Sequence, residues 1–348
     1  IGNNTLKNDT TNNNTAIGYS ALFQNTTGTG NTANGFEALE FNTTGIYNTA
    51  VGLLALNQNT TGGYNVSVGY RALTTNTTGN FNTAIGREAL YVNETGGNNV
   101  AIGSQSLWAS TTASYNTAIG YQALLRNTTA QFNTAVGFGA GLDNTTGAAN
   151  SFFGANSGAN NTTGGYNSFF GYTSGAANTT GASNSFFGRG AGTDNTTGNN
   201  NTFIGENSGG NNTAGLGNAF LGSDTGFTSN IGDYNTLIGT SAGYALSSGS
   251  NNTFIGRQAG RYSGTGTAGL TSIDSSIYLG YNSRGLNATG STNEIVIGNN
   301  IVGLGSNTVV LGGDLITKTV LSGYVGIGTT DPQSLLHING PTNSNRLT

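Results

Sequence analysis

The chain contains no cysteine, which removes disulfides, thiolate metal sites and cysteine nucleophiles together and leaves the compartment undecided on that criterion. Charge is also scarce: Lys plus Arg number 10 and Asp plus Glu 14 among 348 residues, with a formal net charge of −4 and a pI near 4.8. Ten cations cannot build a basic stripe against a phosphate backbone, so nucleic acid is not an expected partner. No apolar run is long enough to span a bilayer and no signal-peptide pattern opens the chain, so membrane insertion is not expected. Histidine is reduced to His337. The acids Glu37, Glu88, Asp143, Asp194, Glu206, Asp224 and Asp233 are scattered, and neither a triad nor a metal cluster can be assembled from them. No Gly-Lys-Ser/Thr occurs, which argues against a phosphate loop. The expectation is a chain without catalytic, metal or cofactor residues that is not an enzyme. Its first residue is Ile1 and not Met, so it is expected to be a processed product or part of something longer.

What is abundant is glycine, 59 residues, together with Asn and Thr. Such a composition also suits disorder, but disordered chains carry high net charge and few aromatics, whereas 15 Tyr and 16 Phe are spread along this one. The glycines keep a period. Gly18, Gly35, Gly52, Gly69, Gly86, Gly103, Gly120, Gly137, Gly154, Gly171, Gly188, Gly205, Gly222, Gly239 and Gly256 follow one another at intervals of 17 residues, from Asn14 to about Ala268, with no insertion. A typical unit is Asn48-Thr-Ala-Val-Gly-Leu-Leu-Ala-Leu-Asn-Gln-Asn-Thr-Thr-Gly-Gly-Tyr64. With the leading Asn as position 0, positions 1 to 3 read as a short strand ended by the glycine bend at position 4, and Asn-Thr-Thr-Gly at positions 11 to 14 reads as a turn. Seventeen residues are too few for a helix, a strand and two connections. The fold expected is all-β, a β-solenoid (parallel β-roll) of 17-residue coils rising about 4.8 Å each, so that fifteen make a rod about 70 Å long.

Positions 2 and 8 exchange sizes along the chain. Early units pair Ala16 with Leu22, Ala50 with Leu56 and Ala118 with Leu124; later ones pair Phe152 with Gly158, Phe186 with Gly192 and Phe254 with Gly260. Because interiors keep a nearly constant density, the two positions are expected to share one core layer. In the unit at Asn133 both Ala135 and Gly141 are small, and Phe138 or Leu142 is the expected compensation. Position 7 is Ala, Ser or Thr in every unit, as close backbone approach would require. Strand alternation sends positions 1 and 3 to the side opposite position 2, yet position 3 is also mostly apolar. A thin roll buries one face only; three chains about a common axis would cover the other and protect the strand edges. A monomeric solenoid stays open as the alternative.

Asn-x-Thr sequons recur at position 11, at Asn25, Asn42, Asn59, Asn76, Asn93, Asn127, Asn144, Asn161, Asn178 and Asn195. They read either as a row of glycans on an exported rod or as stacked turns whose side chains bond their own backbone and one another. Aromatics at position 16 (Tyr47, Tyr64, Phe81, Tyr115, Phe132, Tyr166, Tyr234) and position 5 (Tyr19, Phe36, Tyr70, Tyr121, Phe138, Tyr172) read either as a platform for sugars or as ladders between coils. The single Thr at position 1, alternating with Ser, gives an ice-binding face little support.

After Ala268 the register is lost, although Ile-Tyr-Leu-Gly280, Ile-Val-Ile-Gly298 and Val-Val-Leu-Gly312 keep the strand-plus-glycine pattern and the last two glycines are 14 apart. On these motifs and on Asn116-Thr-Ala-Ile-Gly120, residues 14 to 312 resemble the trimeric parallel β-rolls of autotransporter adhesin heads and phage tail-fibre shafts. Gly323-Tyr-Val-Gly-Ile-Gly-Thr-Thr-Asp-Pro-Gln-Ser-Leu-Leu-His-Ile-Asn-Gly340 is similar to the junction that precedes an intramolecular chaperone domain in tail-fibre-like proteins. The resemblance implies a homotrimer, with that chaperone domain absent here through removal after assembly or truncation. The expected organisation is a partial N-terminal coil or junction at 1–13, fifteen repeats at 14–268, degenerate shorter coils at 269–322 and a junction at 323–348. Function is expected to be that of an extracellular structural fibre at a cell surface or virion, mediating attachment, with itself and a surface polysaccharide or glycan as partners. The alternative is a self-assembling, glycosylated surface or matrix filament. A third reading, a carbohydrate-cleaving spike, would need paired acids in a groove between chains.

Overall fold

A computed structural model describes residues 5–10, 13–230, 232–264, 266, 268–313 and 316–338. The architecture is all-β: a parallel β-solenoid of about 17 turns built on 17-residue coils. Fifteen three-residue strands, β1 (Thr15–Ile17) to β15 (Thr253–Ile255), follow the repeat. Each lies parallel to the next with equivalent residues opposed, as in Ala33 opposite Ala50 and Phe169 opposite Phe186. β17 (Ile277–Leu279), β19 (Ile295–Ile297) and β20 (Val309–Leu311) continue this into one 18-stranded sheet, about 80 Å long at the usual strand spacing. A second two-stranded sheet joins β16 (Ser272–Asp274) to β18 (Thr289–Thr292), and a third joins β21 (Val325–Ile327) to β22 (Leu336–Ile338).

Three features hold each lap over its predecessor. The first is the glycine at position 4: Gly120 has φ +134°, and a Cβ there would stand 2.3 Å from the carbonyl oxygen of Gly137. Only glycine gives the positive φ and the close backbone approach at once. The second is a pair of buried amide ladders. At position 0 the Oδ1 of Asn31 accepts the backbone N–H of Asn48 at 2.9 Å, while Nδ2 of Asn48 donates to the Gly62 carbonyl at 2.8 Å. At position 11, Nδ2 of Asn59 donates to Oδ1 of Asn42 at 2.7 Å and to the Gly62 carbonyl at 2.9 Å. The third is the backbone ladder itself, as in the N–H of Leu56 to the carbonyl of Ala72 at 3.0 Å. Each coil also turns through left-handed residues, in this unit Leu54, Leu56 and Tyr64 at φ 58°, 52° and 59°.

The core is narrow, formed in each coil by positions 2, 7 and 8. Position 2 is buried in every one of the fifteen repeat strands, while positions 1 and 3 face outward. Positions 2 and 8 share a layer, as their exchange of size requires: a Cβ at Gly192 would lie 2.5 Å from the Phe186 ring, and one at Gly158 would lie 2.4 Å from the Phe152 ring. The phenyls stack along the axis, with centroids of Phe169, Phe186 and Phe203 4.8 Å apart in succession. At the changeover the compensation is not the one expected from sequence. Phe138 is exposed and stacks on Tyr121 at 5.3 Å, and Leu142 is only partly buried. The space over Gly141 is filled from the two adjoining coils, since a Cβ there would meet Phe152 at 2.6 Å and Leu124 at 2.9 Å.

Beyond the repeat, the coils lengthen before they shorten. Successive strands from Thr253 begin at Ile277, Ile295 and Val309; the first interval takes in a side loop closed by the antiparallel bridge Tyr262 to Gly269. At position 0 the ladder passes to Ser276, whose N–H donates to Oδ1 of Asn252 at 3.0 Å, and then to Glu294, whose N–H donates to Oγ of Ser276 at 3.1 Å. The buried Glu294 carboxylate accepts from the Tyr278 hydroxyl at 2.8 Å and the Gly305 N–H at 2.8 Å. Burial, and then the Glu294 carboxylate, push the Tyr278 phenol far above its ordinary value. At the other end Leu6 donates its N–H to the Ala21 carbonyl, and Asp9 takes the ladder place of an asparagine, accepting from Nδ2 of Asn25 at 2.9 Å.

Candidate functional site

The outward face of the long sheet forms a regular surface that runs the length of the repeat. Pleating turns position 3 away from the core in each coil, and this column is Ile, Val, Phe or Leu in every coil but that of Asn34. In the single chain it is exposed to half-buried: Ile17 is 48% exposed and Leu221 46%, whereas Val51, Ile102 and Phe153 are half-buried. In the middle of the rod the column becomes phenyl, Phe153, Phe170 and Phe187 stacking at 4.7 and 4.8 Å. Position 5 flanks it on one side, with Tyr19 on Phe36 at 5.3 Å. Position 16 flanks it on the other, with Tyr64 on Phe81 at 5.0 Å and Tyr115 on Phe132 at 5.2 Å. Some of these flanking rings form ladders, while Tyr70, Tyr166, Tyr172 and Tyr234 stack on no other ring among the described residues. Interplanar angles of 9 to 16° in the stacked pairs just named mean that each ring covers its neighbour's face and shows solvent an edge. Stacking on a sugar needs a free face, which the stacked pairs lack on the side they share. Tyr166 is the most open of the set at 73%.

The ten sequon asparagines lie on the other side of the coil wall. Asn25, Asn42, Asn59, Asn76, Asn93, Asn127, Asn144, Asn161, Asn178 and Asn195 are all fully buried. Their Nδ2 atoms, the atoms a glycan would occupy, donate inward; that of Asn161, for example, donates to Oδ1 of Asn144 at 2.6 Å and to the Gly164 carbonyl at 2.9 Å. A glycan row on the folded coil is therefore corrected to a structural ladder, because a sugar on Nδ2 would have to break both bonds and pass through the coil. The sequence pattern alone could not separate the two readings. The companion Thr at position 12 is also structural, as in Oγ1 of Thr43 to the carbonyl of Thr60 at 3.0 Å.

The acids stay dispersed. Asp143 pairs with Arg126 at 2.9 Å, Glu88 with Arg87 at 3.2 Å, and Glu206 with Arg189. Oδ1 of Asp224 accepts from Nδ2 of Asn207, and Oδ1 of Asp233 from the Leu216 N–H. Glu37 has its carboxyl raised by partial burial and by Glu40. Nδ1 of His337 accepts from the Gln333 N–H. Among the described residues no three of these groups converge on one point, and no helix is long and apolar enough to cross a membrane.

One signal was missed by sequence reasoning. The position-11 ladder breaks at Ser110 and Ser229, where each serine Oγ and the Oδ1 of the asparagine one coil earlier (Asn93, Asn212) are buried without a hydrogen-bond partner. The substitutions are visible in the sequence, but their cost appears only once the column is known to be internal. No protein-family model matches the chain, and neither a curated protein nor a solved structure does.

Proposed function

We propose that this chain is the shaft of an extracellular attachment fibre, a non-catalytic rod at a cell surface or virion in which three copies pack their outward sheet faces about a common axis. The observation that carries the reading is the exposed apolar column at position 3. A rod about 80 Å long with such a row along its whole sheet face leaves far more contiguous apolar surface than monomers tolerate, and cyclic association covers an identical face on every copy. The 17-residue register supplies straightness and length, and the short, tightly hydrogen-bonded coils give proteases few loops to cut. Repetition of the surface in three chains gives multivalent attachment. Resemblance of the Asn-Thr-Ala-Ile-Gly coils to tail-fibre shafts and adhesin heads supports the same reading.

The test is native mass with and without denaturant. The expected result is three times 35.2 kDa falling to 35.2 kDa on unfolding, with Ile85→Glu/Ile119→Glu dispersing the trimer. A folded species that stays at 35.2 kDa would refute the three-chain arrangement. A second reading, a self-assembling filament, is favoured by the last strand of the long sheet. Among the described residues β20 has no strand partner on its outer edge, and its core residue Val310 is only half-buried. Rods joined end to end in micrographs would select that reading.

A further inference from the structure

The described arginines divide into those paired with a carboxylate and those that are not, the latter being Arg71, Arg257, Arg261 and Arg284. Arg87, Arg126 and Arg189 each pair with a carboxylate. Arg257 and Arg284, where the regular coils give way to irregular ones, take part in none of the ion pairs among the described residues. The exposed guanidinium of Arg257 lies over the Tyr281 ring at 4.8 Å and donates to the Tyr281 hydroxyl at 3.1 Å. The backbone of this patch is continuous: the N–H of Asn282 donates to the Arg257 carbonyl at 3.0 Å and the N–H of Asn300 to the Tyr281 carbonyl at 2.8 Å. Oδ1 of Asn300 then receives both Nδ2 of Asn282 at 2.7 Å and a guanidinium nitrogen of Arg284 at 3.2 Å.

Among the described residues no carboxylate pairs with either of these two charges. The acids nearest in sequence are directed elsewhere: Asp274 accepts the Ser250 N–H, and Glu294 is buried on the Tyr278 hydroxyl. Along the same outer columns the first acid back is Asp224, two coils before Arg257. Unpaired guanidinium forks suit carboxylate and sulfate oxygens, and side-chain amides beside an aromatic ring suit the hydroxyls and C–H face of a sugar.

We infer that Arg257, Tyr281, Asn282, Arg284 and Asn300 form a binding site for an acidic saccharide, one bearing uronate carboxylates or sulfate esters. This rests on the attachment reading above and gives it a ligand chemistry, but it needs no particular chain number. A three-chain rod that fails to bind would keep the shaft and lose the site, and a single-chain rod that binds would do the reverse.

The experiment titrates the intact chain by calorimetry at low salt with a galacturonate hexamer, a sulfated dextran oligosaccharide and maltohexaose. Saturable binding of either anionic probe with none of maltohexaose is expected, and the better of the two identifies the acidic group. Arg257→Ala/Arg284→Ala should weaken binding about tenfold or more, and Arg257→Lys/Arg284→Lys, which keeps charge but loses the fork, by less. Circular dichroism and sedimentation of both variants should match the parent. The site is overturned by equal affinity for neutral and anionic probes, by no binding of either anion, or by undiminished binding in the alanine variant. A change of chain number in that variant would also overturn it, placing the arginines in a contact between copies.

Discussion

Exchange of volume between positions 2 and 8 predicts a strong energetic coupling that can be measured within one coil. Gly192→Leu places a side chain where a Cβ alone would stand 2.5 Å from the Phe186 ring, so overpacking of about 1–3 kcal/mol adds to about 1 kcal/mol for a branched residue in the left-handed region, φ +57° here. Phe186→Ala removes a ring stacked at 4.8 Å on both Phe169 and Phe203 and should cost about 3–5 kcal/mol. The double variant rebuilds the Ala/Leu arrangement that Ala50 and Leu56 already use, with Leu56 left-handed at φ 52°. Its cost should be confined to the lost stacking, about 0.5–1.5 kcal/mol for each of two pairs, and to the left-handed leucine. The double should therefore be milder than the sum of the singles by at least about 1 kcal/mol. Because a solenoid unfolds locally, the assay is amide exchange at Gly175 and Gly192, whose N–H groups bond the carbonyls of Ala191 and Ser208. Additivity within about 0.5 kcal/mol would refute a shared layer.

Further outcomes follow from the ladders and from the buried phenol. Ser110→Asn should stabilise its neighbourhood by about 1–2 kcal/mol, since the new Nδ2 reaches the orphaned Oδ1 of Asn93 and the new Oδ1 can receive Nδ2 of Asn127; slower exchange of the adjoining amides is the readout. Asn161→Ala should cost about 1–3 kcal/mol, because it removes the 2.6 Å donor of Asn144 Oδ1, one of the two amide donors to the Gly164 carbonyl and one acceptor of Asn178 Nδ2; protease nicking near that coil reports it. Chain secreted from a glycosylating host should carry no N-glycan on the ten buried asparagines, as read by intact mass and peptide mapping. The Tyr278 phenol is held above its unfolded value, so its contribution is intact below about pH 10 and is lost as pH rises beyond, where the unfolded chain releases the proton and the folded chain keeps it. Tyrosinate absorbance should show one delayed ionisation that coincides with loss of the terminal coils.

Much of this was legible in the residue order. Gly18 to Gly256 at a fixed interval determine the lap length, and the Ala/Leu to Phe/Gly exchange identifies which positions meet. What stayed hidden has a common cause, which is that a one-dimensional period does not say which side of the wall a side chain takes in a turn. Asn59 and Thr61 are both polar turn residues, two apart, yet the first is fully buried and the second exposed. Phe138 and Leu142 are the large residues close in sequence to the gap at Ala135 and Gly141, whereas the filling comes from residues a coil away, Leu124 and Phe152. The arginine patch was likewise invisible, since it depends on coils whose length departs from the period.

Two different cores can share one rod because the core does not set the register. Were strand alignment fixed by side-chain packing, the passage from Ala135 to Phe152 would be the place for a slip, yet these residues face each other in the same pairing as every earlier pair. The alignment is imposed outside that column. The Gly137 carbonyl sits against Gly120 and the Gly154 carbonyl against Gly137, leaving no room for a shifted coil. Oδ1 of Asn133 receives the N–H of Asn150, as Oδ1 of Asn116 receives that of Asn133. A one-residue slip would turn every buried amide toward a partner of the wrong kind at once, at about 1–3 kcal/mol for each unsatisfied group. With the backbone clamped in this way, positions 2 and 8 need only conserve their joint volume, and outward positions such as 3 and 5 are free to vary with whatever the rod has to touch.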